Sequence, residues 1–283
     1  MTTITSNNEI DSTLEWYNME SIGLETNFEE LYNHIGSLNL EKEEPLISII
    51  LPMYNEEKTI KTVLEALPRS KTIEIIVVDD NSTDDSLSEI AKLKSIVNIK
   101  ILKHKKNKGY GGACLTGIKH SKGRIIVTMD SDGQHRPEDI YSIVKPILDG
   151  VADITIGSRY LGACCYDLPT TTRLGEAIVE KLIYILFGQR VKNNQNGFRG
   201  FNRKMLHILD DIKYQGYAFA TELILKAAMY DYKIKECPIH VYDRKFGSSK
   251  INLRKLTLNL FACIFRYYLK KIKMNILRNE NKI

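Results

Sequence analysis

Three short, almost wholly apolar runs each stop at a polar, acid-bearing cluster, and this repeated punctuation constrains the fold more than any other feature. Leu46–Leu51 runs into Pro52-Met53-Tyr54-Asn55-Glu56, Thr72–Val78 into Asp79-Asp80-Asn81-Ser82, and Arg124–Met129 into Asp130-Ser131-Asp132-Gly133-Gln134. A run apolar at successive positions, rather than alternating ones, suits a strand covered on both faces, as in a parallel sheet. The intervening segments are helical. Glu56–Leu67 stops at Pro68, and Asn81 or Ser82 caps a helix with Asp84 and Asp85 in its first turn, where the helix dipole favours them. Ile99–Leu102 reads as a further strand, Gly111–His120 as a helix, Pro137 as a helix start and Ala152–Ile156 as a fifth strand. Strict alternation predicts an α/β fold with a mostly parallel sheet flanked by helices. Beyond residue 157 the pattern predicts helices at Leu174–Phe187, Arg203–Asp211 and Ala218–Tyr230, a strand at Lys233–Val241, and a C-terminal helix from about Asn252.

Charge divides the chain further. Residues 1–44 carry ten carboxylates against Lys42 alone, so with a net charge of +5 overall the remainder carries an excess of fourteen positive charges. The expected organisation is an acidic arm over 1–44 containing one short helix, an α/β domain over 45–251, and a basic amphipathic helix and tail over 252–283. A body this basic suits anionic partners. The cysteines, Cys114, Cys164, Cys165, Cys237 and Cys263, are odd in number and form no CxxC pair, which points to a reducing compartment without disulfides or structural zinc. No leader-like start is evident, and the longest uncharged apolar stretch, Leu256–Phe265, is about half the roughly 20 residues a spanning helix needs. A cytoplasmic protein, peripheral on the cytosolic face of a membrane, is therefore expected. In the last helix Phe261, Ile264, Phe265, Tyr268 and Ile272 share one face, with Arg266, Lys270 and Lys273 opposite. That stripe suits either a membrane interface or packing against the domain or a partner.

In an open parallel sheet, ligands bind beyond the carboxyl ends of the strands, so the three acidic clusters converge on one cleft. Asp130-x-Asp132 after a strand suits Mg²⁺ or Mn²⁺ bridging to a diphosphate, with Gln134 adding an oxygen or positioning a water. The same residues also suit a turn whose side chains cap backbone groups. Asp79 is placed to accept from a nucleobase N–H, while Glu56 and Asp80 serve either a ribose or helix caps. Gly109, Gly111 and Gly112 do not follow the spacing of a dinucleotide fingerprint. The basic residues do not interleave with aromatics as nucleic-acid binding would require.

The blocks SIILPMYNEEKTI, EIIVVDDNSTDDS, NKGYGGACLTGIKHSKG and IIVTMDSDGQHRPEDI resemble those of inverting family 2 glycosyltransferases of the GT-A, Rossmann-like fold. ITIGSRYLG, NGFRGFNRKML, GYAFATELILKA and VYDRKFGSSKIN narrow the resemblance to the dolichyl- or polyprenyl-phosphate mannosyl- and glucosyltransferase branch. The resemblance implies metal-dependent, inverting hexose transfer from a nucleoside-diphosphate sugar, of GDP-mannose or UDP-glucose type, to a polyprenyl phosphate at a membrane surface, with a membrane subunit as a further partner. It implies that Pro52, Tyr54, Glu56, Val77 and Asp79 hold the nucleoside, that Asp130, Asp132 and Gln134 bind the metal, and that Ser131 lies beside the donor. Arg159, Arg173, Arg244 and Lys250 would handle donor and acceptor phosphates. Asp132, Arg159 and Arg173 would then act in catalysis. Asn193–Gly197 and Gly162–Leu168 depart from the family pattern, beside the expected acceptor site. Glu222 is a base for a sugar-hydroxyl acceptor or else a polar helix residue binding a loop. A non-catalytic nucleotide-sugar-binding subunit is the alternative, against which the intact Asp-x-Asp argues.

Overall fold

The computed structural model describes residues 21–38, 45–93, 99–165, 167–246 and 253–280. Residues 1–40 and 41–283 form separate compact units. The first contains helix α1 (Ser21–Ser37), whose Phe28 and Tyr32 rings sit 6.4 Å apart, one helical turn on.

The second unit is built on a seven-stranded sheet. In chain order its elements are β1 (Ile47–Met53), α2 (Ile60–Ala66), β2 (Ile73–Asp79), α3 (Ser86–Ala91), β3 (Ile99–Lys103), α4 (Tyr110–His120), β4 (Ile125–Thr128), α5 (Ile140–Leu148), β5 (Ile154–Cys164), α6 (Thr170–Phe187), β6 (Arg199–Asn202), α7 (Phe219–Met229), β7 (Ile234–Val241) and α8 (Leu253–Glu280). Short 3-10 turns at Pro137–Asp139 and Arg203–Leu209 complete the set. Strand order is β3-β2-β1-β4-β6-β5-β7. β1 to β4 pair in parallel, β6 is antiparallel to both neighbours, and β7 is parallel to β5. Met53 and Asp79 are register partners, so β1 and β2 release their polar clusters at the same edge.

The apolar runs are buried because helices cover both sheet faces. Every residue of β1 and β4 is buried. Ala113, Cys114 and Ile118 of α4 share one core with Ile50, Ile76, Val78, Ile126, Phe201 and Leu223. A second core joins Ile156, Val179, Ile183, Phe187, Ile224 and Leu225 to Leu260, Cys263, Ile264 and Tyr267 of α8.

Several expectations change, among them the cap at Asn81 or Ser82, since α3 begins at Ser86 with Asp85 in the N-cap position. β6 carries no apolar run, only Arg-Gly-Phe-Asn, and went unread. Its Arg199 is buried because the guanidinium donates to the carbonyls of Asn194, Asn196 and Ala220, which replaces lost hydration. β5 continues beyond Ile156 to Cys164, with a register shift between Ser158 and Ala163. The stripe on α8 is divided: Ile264 is buried against the domain, while Phe261 is 45% and Phe265 63% exposed. The helix thus has two apolar faces, one packed and one bearing Leu258, Phe261, Phe265, Leu269 and Ile272 outward.

Glu222 ties α8 to the domain. Its carboxylate is fully buried and accepts from the backbone N–H groups of Lys213 and Tyr214 and from the Tyr267 hydroxyl. The general-base role is therefore corrected: no solvent or cleft reaches this carboxylate, and Glu222 binds a loop. Replacing Tyr267 by Phe should destabilise the protein by about 2 kcal/mol, the scale of a hydrogen bond to a buried charge. Urea unfolding of the variant measures it, and an unchanged midpoint would show that the contact contributes nothing.

Candidate functional site

The loops after β1, β2 and β4 interlock at one edge of the sheet. Asn55 and Asn81 adopt left-handed backbone, with φ of 56° and 68°, a conformation asparagine tolerates better than most residues. The turns they make let Asn55 N–H donate to Ser82 Oγ (3.0 Å), Glu56 N–H to Ser86 Oγ (2.8 Å) and Asp80 N–H to the Met53 carbonyl (2.8 Å). Ser131 Oγ donates to the Pro52 carbonyl at 2.8 Å and Thr59 Oγ1 to the Ser131 carbonyl at 2.9 Å. A second layer hangs from Asp80, which accepts from Lys108 N–H and Gly109 N–H, each at 2.8 Å, and lies 2.7 Å from His104 Nδ1. Asp80 is a loop and helix anchor, the capping alternative at this position.

Asp79 is wholly buried; its Oδ1 accepts from Ser82 N–H at 2.8 Å, while Oδ2 has no hydrogen-bond partner and Lys103 Nζ stands 4.0 Å off. The Val77 side chain does not face the cleft. It is fully buried two residues earlier in β2, since a central strand of a covered parallel sheet exposes neither face. Its side chain packs within the sheet, so a contact with a nucleoside would have to come through its backbone.

Asp130 and Asp132 are the electrostatic centre. Asp130 keeps 31% of its side chain accessible, yet its Oδ1 is sealed without a hydrogen-bond partner. Burial first, and then the charge of Asp132, push its carboxyl up to about 7. A Cβ at Gly197 would lie 2.4 Å from Asp130 Oδ1 and 2.5 Å from the Tyr110 hydroxyl, so a larger residue there would have to displace one or both of these groups. His135, buried with neither ring nitrogen hydrogen-bonded, holds Nε2 3.7 Å from Asp130 Oδ2. Its burial lowers the imidazole pKa. Asp132 Oδ1 accepts from Gln134 N–H (3.1 Å), and its Oδ2 is 2.8 Å from Arg244, which also reaches Glu56 at 3.1 Å. Gln134 donates through Nε2 to the Tyr242 carbonyl at 2.9 Å, which fixes which end of its amide faces away from β7. Among the described residues no three His, Cys, Asp or Glu side chains converge as a closed metal cage. Two carboxylates, one with an orphaned oxygen and a raised pKa, fit a hard divalent cation that completes its shell with substrate oxygens.

The cationic residues divide into two groups. Arg159, near the middle of β5, pairs with Glu176 at 2.9 Å and with Asn193 Oδ1 at 3.1 Å. Tyr160 also donates to Glu176, and Arg173, exposed in the first turn of α6, acts electrostatically on that phenol. Arg244 instead spans Asp132 and Glu56, and Lys250 lies outside the described residues. The departure at Asn193–Gly197 becomes intelligible here: Asn193 orients Arg159 and donates to the Gly157 carbonyl (3.3 Å), while Asn194 donates to the Glu176 carbonyl (3.2 Å). Sequence reasoning missed Tyr110, His135, Gly197 and Arg199 as parts of this centre. All four stand inside the quoted blocks, but no spacing rule marks a residue that reaches Asp130 from a helix start or a distant loop.

A mostly parallel sheet whose first, second and fourth strands deliver acidic loops to one cleft is the GT-A arrangement of glycosyltransferases. The chain belongs to glycosyl transferase family 2, whose family model matches residues 48–209, and it is a glycosyltransferase. It is 34% identical over 238 residues to an uncharacterised protein of Methanocaldococcus jannaschii, covering 82% of this chain and 94% of that one. It is 33% identical to the UDP-N-acetylglucosamine–dolichyl-phosphate N-acetylglucosaminyltransferase of Methanococcus voltae, over 73% of this chain and 90% of that one. Identity to the dolichol-phosphate mannosyltransferase of Pyrococcus furiosus is 29%, over 72% of this chain and 59% of that one. The fold also matches glucosyl-3-phosphoglycerate synthase from Mycobacterium tuberculosis, solved with Mn²⁺, UDP and phosphoglyceric acid, at TM-score 0.64 and 20% identity, covering 85% and 82% of the two chains.

The raised Asp130 pKa has a consequence for stability. Between about pH 4, where an unfolded Asp ionises, and about pH 7, the folded chain holds a proton the unfolded chain has lost. Stability therefore falls as pH rises through that window, and above it the charged Asp130 is a standing destabilisation. Asp130→Asn should melt higher than wild type at pH 8 without added metal, and its melting temperature should decline less between pH 5 and 8. A variant that melts lower at pH 8 would contradict this.

Proposed function

We propose that the chain catalyses metal-dependent, inverting transfer of a hexose from a nucleoside-diphosphate sugar to a polyprenyl phosphate at the cytosolic face of a membrane. The observation that carries the reading is the Asp130–Asp132 pair, set beside the nucleoside loops with an orphaned carboxylate oxygen. Asp130 and Asp132, with Gln134, would hold Mg²⁺ or Mn²⁺. The chemistry such a cation supplies is neutralisation of the charge that develops on the departing diphosphate. Related folds solved with Mn²⁺ or Mg²⁺ and UDP support this choice.

The chain's own residues would do the rest. Asp79 offers an acceptor oxygen to a nucleobase N–H, with Tyr54 and Pro52 along the nucleoside and Glu56 toward the ribose. Arg244, which neutralises Asp132 and Glu56, turns its guanidinium to the diphosphate when the donor enters, with Ser131 beside it. Arg159 and Arg173 receive the acceptor phosphate from the β5–α6 side. That phosphate, with a second pKa of about 6, is largely dianionic at neutral pH and attacks without a base. Positioning by guanidinium groups then supplies the catalysis, in keeping with Glu222 being bound into the fold. Relatives named for transfer to dolichyl phosphate support the acceptor class.

Among the described residues no helix is long and apolar enough to cross a membrane. The outer face of α8 and the exposed Leu174, Ile178 and Ile185 of α6 present apolar surface. Arg254, Lys255, Arg266, Lys270, Lys271 and Lys273 make α8 cationic, and no acidic residue precedes Glu280. Both properties suit an anionic membrane interface, with a membrane-embedded subunit as a further partner for the same face.

The decisive experiment is a thermal-shift panel of UDP, GDP, UDP-glucose, UDP-N-acetylglucosamine and GDP-mannose, with and without Mn²⁺. A true donor at 100 times its Kd should stabilise by about 2.7 kcal/mol, and Asp132→Ala should erase the Mn²⁺-dependent part. Persistent Mn²⁺ enhancement in that variant would remove Asp132 from the metal site. Arg173→Ala should lower turnover with a polyprenyl phosphate about a hundredfold while leaving nucleotide affinity unchanged; wild-type kinetics would make Arg173 a surface charge only. For the membrane, the double variant Phe261→Ser/Phe265→Ser leaves the packed Leu260, Cys263, Ile264 and Tyr267 intact. It should float less with anionic vesicles than wild type, and equal flotation would place the contact elsewhere.

A further inference from the structure

The cleft has a defined direction. Nucleoside residues stand at the ends of β2 and β1, the carboxylate pair at the end of β4, and Arg159 on β5, in a sheet ordered β2-β1-β4-β6-β5. A donor laid along that edge carries its sugar past the carboxylate pair, toward β6. Because β6 runs antiparallel, with Arg199 the register partner of Thr128, its entry lies at the edge where β4 finishes. Thr128 Oγ1 donates to the Gly197 carbonyl there at 2.8 Å, and the Tyr110 hydroxyl approaches the same carbonyl at 3.3 Å.

Over this position sits a pair of stacked rings. Tyr217 lies on Tyr110 with centroids 5.7 Å apart and planes within 11°. The outer ring, Tyr217, remains 40% exposed. Its support is rigid on both sides. Gln215, two residues before it, accepts from Gly112 N–H of α4 at 2.9 Å. Glu222 of α7 accepts from the N–H groups of Lys213 and Tyr214. A half-exposed aromatic ring held in this way loses little entropy on binding.

We propose that Tyr217, backed by Tyr110, is the platform on which the donor's sugar ring rests, its apolar C–H face against the phenol. The assignment rests on the reading of the cleft as a nucleoside-diphosphate-sugar site and adds the residue that senses the sugar. A pyranose has one face of C–H groups directed together, and an aromatic face is its physical complement. The carboxylates and Arg244 all act on this phenol, Arg244 in the opposite sense. After burial, the charge of Asp130 raises the Tyr217 phenol pKa, with Asp132 and Glu56 adding to it.

The test separates sugar from nucleotide. Titrations of wild type, Tyr217→Ala and Tyr217→Phe with Mn²⁺ would use UDP and UDP-N-acetylglucosamine, and in parallel GDP and GDP-mannose. Tyr217→Ala should bind the nucleoside diphosphate within about twofold of wild type, yet bind the matching nucleotide-sugar about five- to tenfold more weakly. Tyr217→Phe, which keeps the ring, should retain the wild-type preference for the sugar-bearing ligand. Unchanged nucleotide-sugar affinity in Tyr217→Ala overturns the platform. Equal loss of both ligands in Tyr217→Ala also overturns it, since the ring would then be shaping the cleft as a whole. Loss in Tyr217→Phe as large as in Tyr217→Ala assigns the effect to the hydroxyl and overturns stacking. If wild type itself binds none of the four ligands, the donor reading fails, and the platform with it. That outcome is distinct from the three that concern Tyr217 alone.

Discussion

Carboxylates held together at one sheet edge are the constraint to which the rest of this molecule answers. Asp130 and Asp132 lie two residues apart after β4, and Glu56 joins them through the guanidinium of Arg244. Such a group is costly unless cations or donors stand nearby. Arg244 supplies a direct ion pair. Arg199 acts on Asp130 from below, caged by three carbonyls, and burial lowers its own pKa only to about 10. It therefore stays charged at neutral pH. The compensation is incomplete at Asp130, whose Oδ1 has no partner, and that residual tension is what a bound cation would relieve.

The loops around this centre are made stiff by many modest bonds rather than by one strong one. Ser82, Ser86 and Ser131 each bond the backbone of the β1 loop or its last strand residues, so three segments distant in sequence behave as one surface. The half around Arg159 is built differently. There Glu176 collects Arg159 and Tyr160, and asparagines 193 and 194 link that pair to the backbone of β5 and α6. Between the halves lies β6, which is short, antiparallel and nearly devoid of apolar side chains. It sets β4, which carries the carboxylate pair, and β5, which carries Arg159, two inter-strand spacings apart, about 10 Å.

Much of this was legible in the residues. The βαβ alternation was readable because parallel strands buried on both faces must be apolar throughout, and Leu46–Leu51, Thr72–Val78 and Arg124–Met129 are nearly so. The chemistry was readable because oxygen-rich residues follow those strands at once, and Asp-x-Asp fits few purposes. β6 was illegible, since a strand carrying a buried arginine is stabilised by carbonyls that sequence periodicity does not report. Glu222 was legible only as a choice between base and anchor. Its burial among Lys213, Tyr214 and Tyr267 decides for the anchor.

What the sequence determined by itself was therefore the fold class, the edge of the sheet that carries chemistry, and the polar groups available there. Those follow from local rules, strand burial and strand ends, that act within a dozen residues. Which groups meet was decided by tertiary structure alone. Arg244, more than a hundred residues from Asp132, is placed against it because Tyr242, next after β7, is pinned to Gln134 by two hydrogen bonds of 2.9 Å. Phe261 and Ile264 share a helical face by periodicity, yet one is exposed and the other buried. The difference arises because α8 turns only its Leu260–Cys263–Ile264–Tyr267 edge into the core. Such pairings depend on how whole elements dock, a balance of burial and hydrogen bonding summed across the domain that no window of sequence contains.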